Sequence, residues 1–220
     1  MMKITTVIFD MDGILFDTER LVLDNWKQVA GRRGISGIED AFMECIGTTM
    51  TATREIAKRH FGEDFPFDEF AKEASEVFHE AVERDGMPVK AGAGELLDYL
   101  KQNGYKIGLA SSTRRAVVEE DLRMAGFLPY FDVVMGGDMI THSKPDPEIF
   151  LACCEKLGSV PEETLVIEDS YNGIRAANRA GMTAFMVPDL LPPTDEMRNL
   201  SSRIFESLSD VKKEIENNGI

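Results

Sequence analysis

Five short β-rich apolar runs, at 5–9, 106–110, 133–135, 165–167 and 183–187, each end at a polar cluster, with helix-like patterns between most of them. The segments 94–103, 116–125 and 147–157 have helical spacing and stop at Gly104, Gly126 and Gly158, the usual C-terminal signal. Strands alternating with helices predict an α/β fold built on a parallel sheet. One stretch breaks the alternation: from about 19 to 84 there is no strand-like run, and Ala, Glu, Lys and Phe recur at helical spacing. The spacing therefore predicts an inserted helical subdomain. It places a discontinuous core at 1–16 and 87–220 and a helical cap at 17–86. Phe42, Met43, Phe70 and Phe78 are expected to form the cap's own core, and 207–217 to be an exposed amphipathic terminal helix with no functional signal.

With 220 residues, 43% hydrophobic and 29% charged, the chain is long enough for one sizeable core and a smaller subdomain. A formal net charge of −15 argues against nucleic acid or an anionic membrane as partner, since both repel an acidic surface. Cys45, Cys153 and Cys154 lack metal-ligand spacing, which fits a reduced, cytoplasmic setting. The first apolar stretch, ending at Asp10, is too short for a signal segment or a membrane span.

In open parallel sheets, ligands bind beyond the carboxyl ends of the strands. There the sequence offers Asp10 and Asp12 after the first strand, Ser111, Ser112 and Thr113 after the second, and Glu168, Asp169 and Ser170 after the fourth. Lys144 lies in the loop between the third strand and the helix near Pro147. Each cluster alone reads as a cap or a surface charge. Capping does not call for so many acids with a lysine among them. Clustered carboxylates repel one another unless a divalent cation neutralises them, and an oxygen-only donor set suits Mg²⁺. The mixture fits phosphoryl transfer, with Asp10 as nucleophile, Asp12 as acid–base partner, and Lys144 and Ser111 neutralising the phosphate.

The segments DMDGILFDTE (10–19), LASST (109–113), SKPDPEIF (143–150) and VIEDSYNGIRAANRAGM (166–182) resemble the four signature motifs of the haloacid dehalogenase superfamily. The likeness is to its capped branch, which includes β-phosphoglucomutase and phosphoglycolate phosphatase-like enzymes. The resemblance implies a Rossmann-like core with a movable cap. It implies that Asp10 is the nucleophile, and that Asp12 is the acid–base residue and, through its backbone carbonyl, a metal ligand. It further implies that Ser111, Ser112 and Lys144 hold phosphate, that Asp10, Asp12 and Asp169 bind Mg²⁺, and that Glu168 is an outer partner of the metal. An acid at Asp12 argues against carbon–halogen cleavage. For a mutase, the cap should carry a histidine and an arginine where Val22 and Met50 stand. The expected activity is therefore a Mg²⁺-dependent phosphatase for a small phosphorylated metabolite, a sugar phosphate or similar monoester. A β-phosphoglucomutase-like phosphomutase is the second reading, and a non-catalytic phosphoacceptor the third. Thr18 and Glu19 face the hinge and read equally well as substrate contacts or as helix capping, so they receive no role; Asp17 is left as a hinge residue or an outer partner of the site. Arg54, Lys58 and Arg59, with His60 and His79, read as solvated surface.

Overall fold

A computed structural model of the chain describes residues 3–218. Its sheet contains β1 (Thr6–Phe9), β2 (Lys106–Ala110), β3 (Val133–Met135), β4 (Thr164–Glu168), β5 (Thr183–Met186) and β6 (Arg203–Ile204). The order is β3-β2-β1-β4-β5-β6, and every pairing is parallel. β1 is central, with Val7 level with Ile107 on one side and Leu165 on the other. All four of its residues are buried, as expected for a strand covered on both faces.

Successive residues serve opposite faces. Val7, Phe9, Ile107, Leu109, Leu165 and Ile167 belong to one apolar cluster, and Ile8, Ala110, Val166, Ala184 and Met186 to the other. Among the described residues there are ten α-helices: α1 (Thr18–Arg33), α2 (Ile38–Cys45), α3 (Met50–Phe61), α4 (Phe67–Asp85), α5 (Ala93–Gln102), α6 (Arg115–Met124), α7 (Glu148–Lys156), α8 (Tyr171–Arg179), α9 (Asp195–Leu200) and α10 (Leu208–Asn218). Leu96, Leu97 and Leu100 of α5 share the first cluster with Leu208, Val211 and Ile215 of α10. Ile149 and Phe150 of α7 and Ile174 and Ala177 of α8 cover the second face.

Helices α1 to α4 gather around a separate apolar cluster. Trp26 is its hub, edge-on to Phe42 at 5.3 Å, to Phe70 at 5.2 Å and to Phe67 at 6.4 Å between ring centres. Phe42 and Phe70 are in this cluster and Met43 packs against it. Phe78 is half-buried against His79, outside it. Arg54, Lys58, Arg59 and His60 pair with Asp68, with Glu55 and Glu63, with Glu44 and again with Glu44, so they serve the surface of the insert.

Two expectations need correction. The last helix is not simply exposed: Leu208, Val211 and Ile215 recur at helical spacing and are at most 2% exposed, because their stripe meets α5. The sixth strand, only Arg203–Ile204, is defined by its pairing with β5 and carries too few apolar residues to signal itself. Among the described residues, no helix is long and apolar enough to cross a membrane, and the three cysteines are buried and free.

Candidate active site

The site forms where β1, β2 and β4 end. Asp10 follows β1, with its backbone N–H donating to the Ile167 carbonyl at 3.0 Å, so the nucleophile candidate is fixed by the central strands. Residues 11–16 then fold back tightly, the Leu15 N–H reaching the Met11 carbonyl at 2.8 Å and the Gly13 N–H the Phe16 carbonyl at 2.9 Å. Gly13 has φ +76°, and a Cβ there would stand 2.5 Å from Asp169 Oδ2. Only glycine lets this loop pass so close to the acid. On the neighbouring strand, the Ser111 N–H donates to the Met135 carbonyl at 3.1 Å, and the Gly137 N–H to that of Thr113 at 2.8 Å, locking the loops after β2 and β3 together.

Among the described residues, Lys144 is the one cation in the centre of this group. Its Nζ, on a side chain 2% exposed, donates to Asp10 Oδ1 at 2.5 Å, to Glu168 Oε1 at 2.7 Å and to the Ala110 carbonyl at 3.1 Å. All three ammonium hydrogens are thereby used. Glu168 Oε2 accepts from the Ser170 N–H at 2.7 Å and the Ser170 hydroxyl at 2.9 Å. Asp12 accepts from the hydroxyls of Thr18 at 2.5 Å and Thr113 at 3.3 Å. Ser111 Oγ accepts from the Thr113 N–H at 3.0 Å, which leaves its own hydrogen free to donate. Ser112 is half-buried beside it. Asp169 is 3% exposed, and among the described residues none donates a hydrogen bond to it.

Burial of so many acids around one lysine moves their titration. Asp10 is held above the usual carboxylate range by burial, against the pull of Lys144. Asp12 is raised by burial despite the Thr18 and Thr113 hydroxyls. Asp169 is pushed well up, first by burial and then by Glu19, Glu168 and Asp10. Lys144 is raised, because Asp10 and Glu168 outweigh the burial that opposes its charge. A buried oxygen-only set with an excess of negative charge and an acceptor lacking any donor fits a hard divalent cation.

The structure adds three features to this region. Thr18 and Glu19 do not cap α1; Asp17 precedes that helix without a side-chain cap bond, while Thr18 turns to Asp12 and Glu19 is buried. Lys90 reaches Asp189 at 2.6 Å and Asp17 at 3.9 Å, where the two linkers to the helical insert run side by side. That pairing joins the Asp17 N–H to the Pro88 carbonyl at 2.7 Å and the Lys90 N–H to the Leu15 carbonyl at 2.9 Å. Asp121 of α6 is buried too. Away from this edge, His142, Asp146 and Glu148 gather at the start of α7, where the carboxylates accept the N–H groups of Thr141, His142 and Glu148 and so cap a turn.

The family profile described as haloacid dehalogenase-like hydrolase matches residues 7–187. The chain belongs to this family. It is therefore an enzyme of the haloacid dehalogenase-like hydrolases, with the α/β parallel-sheet fold that the alternating pattern predicts. It is 36% identical over 180 residues to the phosphorylated carbohydrates phosphatase of Thermotoga maritima, covering 80% of this chain and 81% of that one. It is 29% identical to the fructose-1-phosphate phosphatase YqaB of Escherichia coli, covering 81% and 93%. Among solved structures, β-phosphoglucomutase from Clostridium difficile superposes with a TM-score of 0.80 at 25% identity, over 98% of this chain and 96% of that one.

Two features of this haloacid dehalogenase-like site lead to direct tests. Asp121, 5% exposed, is pushed up to about 7 by burial and then by Asp12 and Glu120. An acid raised in the folded state stabilises the fold below its unfolded value of about 4, and that contribution is lost as pH rises through the folded value. Asp121→Asn should therefore gain on the metal-free parent as pH rises, the gap widening by about 2–3 kcal/mol between pH 5 and pH 8 in urea unfolding. A gap that stays constant with pH would remove this account of Asp121. Gly47, in the loop between α2 and α3, has φ +70°, and a Cβ there would lie 2.7 Å from Ser170 Cβ and Oγ. Gly47→Ala should hold the insert off the sheet edge and lower kcat/KM by about 10- to 100-fold, since small misplacements are costly to reaction geometry. Steady-state kinetics beside a thermal melt would separate this from loss of folded protein.

Proposed function

We propose that this enzyme is a Mg²⁺-dependent phosphatase that hydrolyses a small, sugar-like phosphate monoester through an aspartyl-phosphate on Asp10. The observation that carries the reading is that the buried Lys144 holds one oxygen of Asp10 while Oδ2 accepts no hydrogen bond among the described residues. An anchored carboxylate with one free oxygen is set for attack. Oδ2 bonds to phosphorus as the ester P–O bond breaks, Asp12 gives its proton to the departing oxygen, and it then takes one from the water that hydrolyses the acyl phosphate. Burial keeps Asp12 protonated at higher pH than usual, which suits the first of these steps. The Thr18 and Thr113 hydroxyls aim its carboxyl. Ser111, Ser112 and Lys144 would bind the phosphate oxygens.

Asp10, Asp169 and the Asp12 backbone carbonyl would hold Mg²⁺, with Glu168, already bound to Lys144 and Ser170, as their outer partner. The ion's contribution is to neutralise the phosphate and the acids that face it. We take 17–86 as the cap that covers the substrate and 1–16 with 87–220 as the catalytic core. The curated phosphatases named above support a phosphorylated sugar as substrate. The phosphomutase reading would need cap groups for a second phosphate, yet Val22 packs on the cap's apolar cluster and Met50 is an apolar side chain 61% exposed. Water is therefore the acceptor we favour. Free, buried cysteines fit a cytoplasmic setting.

A panel of phosphorylated metabolites incubated with Mg²⁺, scored for released phosphate and for isomerised product, tests the reading. Phosphate release that stops with a chelator and returns with Mg²⁺ is expected. Bisphosphate-stimulated isomerisation of a hexose 1-phosphate without net phosphate would replace the phosphatase with a mutase.

A further inference from the structure

Glu19 sits in the first turn of α1, only 9% exposed, and its Oε2 is buried without a hydrogen-bond partner. Among the described residues no cation pairs with it; Lys90, at the linkers, is committed to Asp189 and Asp17. An acceptor buried in this state is costly unless something supplies a donor. Its chain neighbour Thr18 is bonded to Asp12, which anchors the turn beside the residue that protonates the departing oxygen. The groups that act on its carboxyl are Asp12, Asp189, Asp10 and Glu168, all acids of the same sheet edge, and Asp169 feels it in turn. Ionised, none of them can donate a hydrogen bond, and the proton that Asp12 carries is the one given to the departing oxygen.

The donor must therefore come from what enters the site, water before substrate binds and the substrate afterwards. A phosphate dianion has only acceptors to offer, and Glu19 lies among acids that repel it. The part of the substrate that remains is the carbon skeleton behind the departing oxygen. Resting on the phosphatase reading above, we infer that Glu19 Oε2 accepts a hydrogen bond from a hydroxyl on the leaving group. That makes it a specificity residue that selects polyol phosphates over esters without hydroxyls.

The test compares kcat/KM for a panel of hexose and pentose monophosphates with that for n-butyl phosphate and phosphoethanolamine, in Mg²⁺. The parent enzyme should favour one or more sugar phosphates. In Glu19→Ala the ratio of the best sugar phosphate to n-butyl phosphate should fall on the order of 10- to 100-fold, the range of a hydrogen bond to a charged group. Glu19→Gln, which keeps a carbonyl acceptor, should recover most of that ratio. Because both substrates are read on one sample, loss of folded protein cancels. An unchanged ratio in Glu19→Ala, with a higher Mg²⁺ requirement, would overturn the inference and move Glu19 to the metal's surroundings. A parent enzyme preferring n-butyl phosphate or phosphoethanolamine would overturn it as well. A parent releasing no phosphate from any ester would remove the phosphatase reading itself, an outcome distinct from the other two.

Discussion

Asp10→Asn abolishes turnover, lowering kcat by about 10⁴-fold or more, because among the described residues no other carboxylate at this sheet edge is anchored by Lys144 with its second oxygen left to reach phosphorus. The fold should survive. The asparagine carbonyl can still accept from Lys144, Glu168 remains to balance the ammonium, and a carboxylate that burial disfavours is gone. Melting temperature at pH 8 should hold or rise while phosphate release vanishes. Mass analysis of acid-quenched samples should find a phosphoryl adduct on the parent protein and none on the variant. A variant retaining full activity would sink the aspartyl-phosphate mechanism.

Lys144→Met should damage both stability and activity. It leaves Asp10 and Glu168 facing each other in a buried space with no cation between them. Breaking such a pair by removing one partner costs about 3–5 kcal/mol. The sign of its pH dependence follows from the acids left behind. Without the ammonium nothing opposes the burial that raises Asp10, so its carboxyl titrates higher still in the folded state and the variant regains stability as pH falls and it takes up a proton. Urea unfolding without metal should show the deficit large at pH 8 and smaller at pH 5.5. Activity should fall by about 10²–10³-fold, the scale of losing one positioned charge on the phosphate. A loss of stability that ignores pH would mean that methionine packing against Phe150, and not charge, is the cause.

What could be read from sequence follows from distance along the chain. Strands β1 to β5 announced themselves because each is a short apolar run, and a strand buried on both faces needs one. The helical insert was legible because its spacing changes to that of a helix and stays so for four helices. β6 and the burial of α10 were not, since both depend on a partner found elsewhere in the chain, β5 in one case and α5 in the other.

The same division runs through the site. Asp10, Asp12, Ser111, Ser112, Lys144, Glu168 and Asp169 could be nominated because each lies in a short polar cluster just beyond an apolar run or in the loop after β3. Thr18 and Glu19 could equally face substrate or cap α1, because a sequence gives residue types and not the direction of a side chain. Only the tertiary structure turns Thr18 onto Asp12, buries Glu19 without a partner and ties Lys90 to Asp189. The sequence by itself thus determined the sheet, the insert and the acids with their lysine, all of which follow from local apolar period and residue chemistry. Which acids share a proton donor, which stand alone, and how closely Gly47 lets the insert approach Ser170 were decided by packing between segments far apart in the chain, where burial and charge act through space.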